Sequence, residues 1–270
     1  MAYNVVTKTG FYEADEILHI VNWIKDYFAD NGPKAKAVLG ISGGKDSTIA
    51  AMLLTLALGK DRVVGVMMPN GEQSDISDAK KVCEVLGIEN YTINIKDTVW
   101  NLEEDFVNST MLPISHQLTT NVPPRIRMTI LYMVAAAVGG RVCNTSNASE
   151  AYVGYCTKYG DLAGDFALLK DYYVTMLYEI GNVLCEEFFP EMPTTLIDKA
   201  PADGLTGKTD EDALGFTYKE LDDYLFKGIY PDAKTLAIIK GKHRTAQHKR
   251  VINLPFPYGK YHELKGEYSF

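Results

Sequence analysis

The chain has 270 residues, 46% of them hydrophobic and 23% charged, and a formal net charge of -8 at pH 7. That composition supports one large buried core and excludes wholesale disorder. The acidic balance argues against a broad surface for DNA or RNA, and no stretch approaches the roughly 18 consecutive apolar residues of a membrane helix. The opening residues MAYNVVTKTGFYEADEI lack a charged segment followed by an apolar one, so a cytoplasmic protein is expected. Cys83, Cys143, Cys156 and Cys185 show no CxxC spacing, which predicts scattered reduced thiols rather than disulfides or a zinc site.

Taken in chain order, Ile17, Ile20, Val21, Ile24 and Phe28 recur at helical spacing, and NGP at 31–33 predicts the end of that helix. The short β-rich runs KAVLGI (36–41), RVVGVMMP (62–69), YTINI (91–95) and RVCNT (141–145) follow as candidate buried strands. Between them lie STIAAMLLTLALG, SDISDAKKVCEVLG and PRIRMTILYMVAAAVGG, each ending in glycine as helices often do. Strands alternating with helices predict an α/β fold, a doubly wound and mostly parallel sheet with helices on both faces. From about residue 186 the pattern is less regular: FFPEMPTT and KAPADGLTGKTDEDALG read as loops and YKELDDYLF as a short helix. With no linker composition and no repeat, a single domain over 1–270 with a loop-rich C-terminal part is the expected organisation.

The loop GISGGKDS at 40–47, between the first strand and the next helix, carries the clearest chemical signal. Gly43 and Gly44 permit positive φ and close backbone approach, so successive N–H groups can converge on an anion at a helix start. Ser42 and Ser47 add hydroxyls, whereas Asp46 would repel a phosphate unless a cation lay between them, which implies Mg²⁺. The Walker A pattern fails, with Leu39 in place of its first glycine and Asp46 in place of its Ser or Thr, and the GxGxxG fingerprint is also missing.

Ser42, Gly43, Gly44, Asp46 and Ser47 resemble the SGGxDS loop of the N-type ATP pyrophosphatases, whose adenine nucleotide alpha hydrolase-like fold matches the predicted sheet. PNGEQSDISDA, NVPPRIRM, NTSNASE, TKYGDLAGDFA, GKTDEDALGFTY and QHKR, in that order, resemble the ammonia-dependent NAD synthetases within that superfamily. The resemblance runs from about residue 10 to 255. It implies amidation of deamido-NAD with ATP and free ammonia, through an adenylated carboxylate, releasing AMP and pyrophosphate. Only about 35 residues precede the first strand, too few for the glutaminase domain of some relatives. By residue, the resemblance assigns Asp46 and Glu150 as catalytic Mg²⁺ ligands. It assigns Gly40, Ile41, Ser42, Gly43, Gly44, Lys45, Asp46, Ser47 and Thr145 to ATP, and Arg125, Lys158, Asp165, His248 and Lys249 to deamido-NAD. Arg127, two residues from Arg125 on a helix, is expected to face elsewhere.

Three positions depart from the family pattern. Val174 stands where an ATP-contacting lysine is usual, leaving Lys45 or Lys170 to supply a cation. Ala202 lacks the expected hydroxyl, and Lys208 replaces a common glutamine. A different acyl or thiolation substrate, or a nucleotide-binding module without catalysis, are the alternatives these departures keep open. The family further implies a homodimer, for which LKDYYVTMLYEIGNVLCEEFF offers apolar area and serves equally well as core.

Overall fold

The computed structural model describes residues 13–73, 76–199 and 209–250; Ala202, Lys208 and most of the loop KAPADGLTGK lie outside them. Five strands, β1 (Lys36–Gly40), β2 (Val63–Met67), β3 (Glu89–Thr92), β4 (Gly140–Asn144) and β5 (Phe166–Ala167), form one sheet in the order β3-β2-β1-β4-β5. Every pairing is parallel, with Val38 opposite both Val64 and Val142. The predicted α/β class, with helices on both faces, is what the chain adopts. After β1 the chain moves outward on one side through β2 and β3, then returns to place β4 on the other side of β1. Ligands of such sheets bind beyond the carboxyl ends of the strands at this reversal.

The helices in chain order are α1 (Glu13–Asn31), α2 (Lys45–Leu58), α3 (Ile76–Leu86), α4 (Lys96–Thr110), α5 (His116–Val138), α6 (Ala148–Val153), α7 (Val174–Val183), α8 (Thr195–Asp198), α9 (Asp210–Leu214), α10 (Tyr218–Asp222), α11 (Ala233–Thr245) and α12 (Gln247–Arg250). The alternation of strand side chains divides the core. Ala37, Leu39, Val63 and Met67 face α1, α2, α3 and α7, while Val38, Val64, Val66 and Val142 face α4 and α5. Helix α2 is apolar on every side, with Ile49 to Leu54 all inaccessible, as expected of a helix enclosed by others. A third apolar cluster, outside the sheet, joins Val153, Val174, Leu214, Phe216, Tyr218, Leu221 and Ile239.

Some elements differ from expectation. Strand β3 starts at Glu89, earlier than predicted, yet its ladder continues into the predicted run, because Ile93 and Ile95 donate their N–H groups to Met67 and Pro69 carbonyls at 2.9 Å. Helix α5 begins before the predicted PRIR segment, at His116, where the Ser115 hydroxyl caps it, and runs through Pro123 and Pro124. The C-terminal part is more helical than the sequence suggested, with α11 anchored by Asp232 accepting from Lys234 and Thr235. All four cysteines are free thiols. Among the described residues no helix is long and apolar enough to cross a membrane.

Candidate active site

The loop after β1 and the loop after β4 flank the reversal in strand order, and the helices they lead into, α2 and α6, carry the two acidic residues the sequence singled out. Gly43 turns with φ of 79°, and a Cβ there would lie 2.7 Å from the Ala79 amide nitrogen at the start of α3. Only glycine fits both demands. Gly44, expected to share this conformation, instead has φ of -87° and ψ of 166°: one left-handed residue completes the turn, and Gly44 is the extended N-cap of α2.

The two serines knit the loop. Ser47 Oγ donates to the Gly44 carbonyl at 3.1 Å, so its lone pairs are left to accept from the Ser42 amide at 3.2 Å and the Ser42 hydroxyl at 3.0 Å. Ser42 Oγ in turn accepts from the Gly44 amide at 3.2 Å, and Thr48 Oγ1 donates to the same Gly44 carbonyl at 2.8 Å. The hydroxyls therefore shape the cradle.

On the other side of the reversal, Asn144 donates to the Asp161 and Ala163 carbonyls and accepts from the Ser146 amide, fixing the turn that holds half-buried Thr145. Asn147 caps α6 in a reciprocal box with Glu150: the Glu150 amide donates to Asn147 Oδ1 at 2.9 Å, and Glu150 Oε2 accepts from the Asn147 amide at 3.4 Å. Asn147 Nδ2 also reaches Asp46 Oδ1 at 3.5 Å. Burial pushes the Glu150 carboxyl well above the ordinary glutamate range; the Asp46 charge raises it further, and Lys45 opposes both. The predicted pair is thus brought together through Asn147, with Lys45 as the cation beside it.

Lys45 Nζ pairs with Asp46 Oδ1 at 2.7 Å and lies 5.3 Å from the centre of the Tyr178 ring. Val174, at the start of α7, is 1% exposed within the third apolar cluster, so that turn presents no cation, and Lys170 is exposed. Of the two lysines the sequence offered, Lys45 is the one beside the acidic pair.

Arg125, Lys158, His248 and Lys249 form a second group on the far end of α6. Arg125 Nε donates to the Lys158 carbonyl at 3.3 Å, and Lys158 Nζ to the His248 carbonyl at 2.7 Å. Lys249 Nζ donates to the Gly154 and Cys156 carbonyls at 2.8 and 2.7 Å, where α6 ends. Arg127 does face elsewhere, donating to the Met68 carbonyl beyond β2 at 3.0 Å. Asp165 stands apart from both groups, since its carboxylate accepts from the Val142 amide of β4 at 2.7 Å and from Tyr132 at 3.4 Å.

Sequence reasoning missed three neighbours of the acidic pair. Asp222 accepts from Ser149 Oγ at 2.6 Å and from the Thr175 amide at 2.9 Å, and burial raises its carboxyl while Lys45 opposes. Tyr218 lies close enough to Glu150, Asp210 and Asp46 that their charges add to burial in raising its hydroxyl, which donates to Asp210 at 3.4 Å. The Cys156 thiol is pushed up to about 12 by burial and then by Asp161, which disfavours the thiolate.

Among the described residues no three His, Cys, Asp or Glu side chains form a metal cage. Oxygen donors from one or two carboxylates, completed by phosphates, are the usual Mg²⁺ set, and Asp46 with Glu150 fits it.

Residues 16–254 match the NAD synthase family. A protein of Pyrococcus furiosus called NH(3)-dependent NAD(+) synthetase is 40% identical over 210 residues, 77% of each chain. An NMN synthetase from Francisella tularensis superposes with a TM-score of 0.81 at 35% identity, over 92% of this chain and 100% of that one. An NH3-dependent NAD synthetase from Campylobacter jejuni, bound to nitrate, gives 0.69 at 26% identity, over 90% and 98%.

Proposed function

The chain belongs to the NAD synthase family, and from that premise we propose that it amidates deamido-NAD with ATP and free ammonia at the reversal between β1 and β4. The observation that carries this reading is that Asn147 joins the two acids, its amide donating to Glu150 and its side chain reaching Asp46, beside the glycine loop at the start of α2. The nicotinate carboxylate attacks the α-phosphorus, pyrophosphate leaves, and ammonia then displaces AMP at the carbonyl carbon. A free carboxylate is a poor acyl donor, and the adenylate gives it a leaving group.

The turn at Gly43 and the α2 N-terminus receive the triphosphate, with Thr145 at the nucleotide's edge. Asp46 and Glu150 would hold Mg²⁺, which supplies charge neutralisation as pyrophosphate departs. Arg125, Lys158, His248 and Lys249 bind the acyl substrate, whose phosphates and carboxylate call for fixed cations. The protein works in the cytoplasm as a homodimer. The face that supports dimerisation is on α4 and α5, where Trp100 is 66% exposed and Met133 66%, with Met111 at the end of α4 83% exposed.

A second reading, amidation of the corresponding mononucleotide, is favoured by the Francisella tularensis structure, which matches at higher TM-score and identity than the Campylobacter jejuni one. One assay decides both. ATP, Mg²⁺ and ammonium are supplied with deamido-NAD or with nicotinate mononucleotide, and AMP and amide product are read together. AMP release matched by NAD formation is expected, with a higher kcat/KM for the dinucleotide. The reverse preference moves the assignment to the mononucleotide, and no AMP release with either acceptor sinks it. Asp46→Asn is expected to lose AMP formation while its circular dichroism stays that of the parent.

A further inference from the structure

Lys45 is the single lysine or arginine whose side chain is buried among the described residues. Its position is unfavourable for a cation, because it is the first residue of α2, where unpaired helix N–H groups already carry partial positive charge. Adjacent residues on a helix do not face each other. The 2.7 Å contact with Asp46 therefore requires the Lys45 side chain to fold back across the helix end. There it meets negative charge from three helices: Asp46 of α2, Glu150 of α6 and Asp222 of α10. Three carboxyl groups thus share one ammonium.

Exposure separates the partners. The Asp46 side chain is 21% exposed and that of Lys45 only 2%, so an ion arriving from solvent reaches the carboxylate before the ammonium. Both of the contacts made by Asp46, from Lys45 and from Asn147, fall on the same oxygen, Oδ1. The neighbouring turn of α7 cannot contribute, since Val174 fills it with apolar packing.

We propose that Lys45 is a stand-in cation, covering Asp46 until a divalent ion takes that carboxylate, after which its ammonium turns to the phosphates of the nucleotide. This rests on the reading of the site as an ATP-cleaving centre. Lys45 is then a competitor of the metal in the resting protein and a phosphate ligand in the working one. Such an exchange keeps the crevice from holding bare carboxylates between turnovers, and couples metal entry to nucleotide entry because the displaced ammonium needs an anion.

The test uses Mn²⁺ as the probe, titrated into the nucleotide-free full chain and followed by its paramagnetic signal. Lys45→Met is expected to bind Mn²⁺ about tenfold more tightly than the parent, since a like charge next to the site has gone, while its KM for ATP rises by a similar factor. A lysine that merely braced the loop would give the opposite sign. Unchanged or weaker Mn²⁺ binding by Lys45→Met overturns the proposal. Should that variant fail to fold, Lys45→Gln is read in the same titration, and Lys45→Arg, which keeps the charge, is expected to retain the parent affinity. Parent-protein turnover separates the two readings. AMP release by the parent with no tightening in the variant removes the stand-in and leaves the function, whereas a parent that releases no AMP removes both.

Discussion

Gly43 packs its backbone against the start of α3 in a conformation that L side chains resist, with Asp78 Cβ 2.8 Å from where a side chain would begin. Gly43→Ala would therefore strain the turn by roughly 1–2 kcal/mol and push the cradle off α3. The expected result is a KM for ATP raised about tenfold, a loss of near 1.4 kcal/mol in binding, with secondary structure unchanged in circular dichroism. Gly44→Ala, whose Cβ would meet only Ser42 Oγ at 3.3 Å, should be the milder change. At this scale the loop and Asp46 were readable from their residue types, and Glu150 only from the resemblance of NTSNASE; their meeting was expected because each follows a strand, and strand ends of such sheets converge. Ser149, Asp222 and Tyr218 were not. Ser149 and Asp222 meet across 73 residues of chain, and nothing local in YKELDDYLF marks one aspartate as buried. The roles of Ser42 and Ser47 were read as phosphate donors, whereas their hydroxyls first satisfy each other and the Gly44 carbonyl.

Helix α6 shows how an element of six residues is held firm. Its first turn is closed by the Asn147 and Glu150 box, and its last by cations from α12: Lys249 on the Gly154 and Cys156 carbonyls, Arg250 on that of Tyr152 at 3.0 Å. His243 of α11 stacks on Tyr152 with ring centres 4.0 Å apart. The QHKR segment thus acts first as a C-terminal cap. Gly154 permits the approach, since a Cβ there would fall 2.1 Å from Ala246 Cβ at φ of 69°. Gly154→Ala should force α11 and α12 away at a cost of about 1–3 kcal/mol, seen as a lower melting temperature. Lys158 would lose its hold on the His248 carbonyl, so KM for the dinucleotide should rise more than KM for ATP. Strands β1, β2 and β4 were legible because their runs of Val, Leu, Met and Cys are buried on both faces. Strand β5 has two residues, too few for any period. Helices α4 and α11 each bury one residue fully, Val99 and Ile239, and so carry almost no apolar stripe to detect.

For the molecule as a whole, the sequence left open whether the aromatic stretch around α7 was core or interface, and the fold makes it core: Val174, Met176, Leu177, Ile180 and Leu184 are all buried. The apolar surface lies on the opposite face of the sheet, on α4 and α5. Replacing both Trp100 and Met133 by glutamate should shift a dimer to monomer in sedimentation velocity without lowering helix content, because neither side chain is buried within one chain. A parent that already sediments as a monomer would remove the dimer. The double variant should also lose turnover if the acyl substrate is shared across that face. Periodicity could not reveal this surface, since Trp100, Met111 and Met133 are exposed in the single chain and belong to no buried stripe.

The apolar wall around Val174 bears on what substitution can recover. An ammonium introduced there would sit among Val153, Leu214, Phe216 and Tyr218, forfeiting hydration worth several kcal/mol. A lone Val174→Lys substitution should therefore destabilise the fold. Accommodating a basic side chain in that turn would require hollowing out the surroundings contributed by α6, α9 and α10, and so would erode the platform on which Glu150 stands.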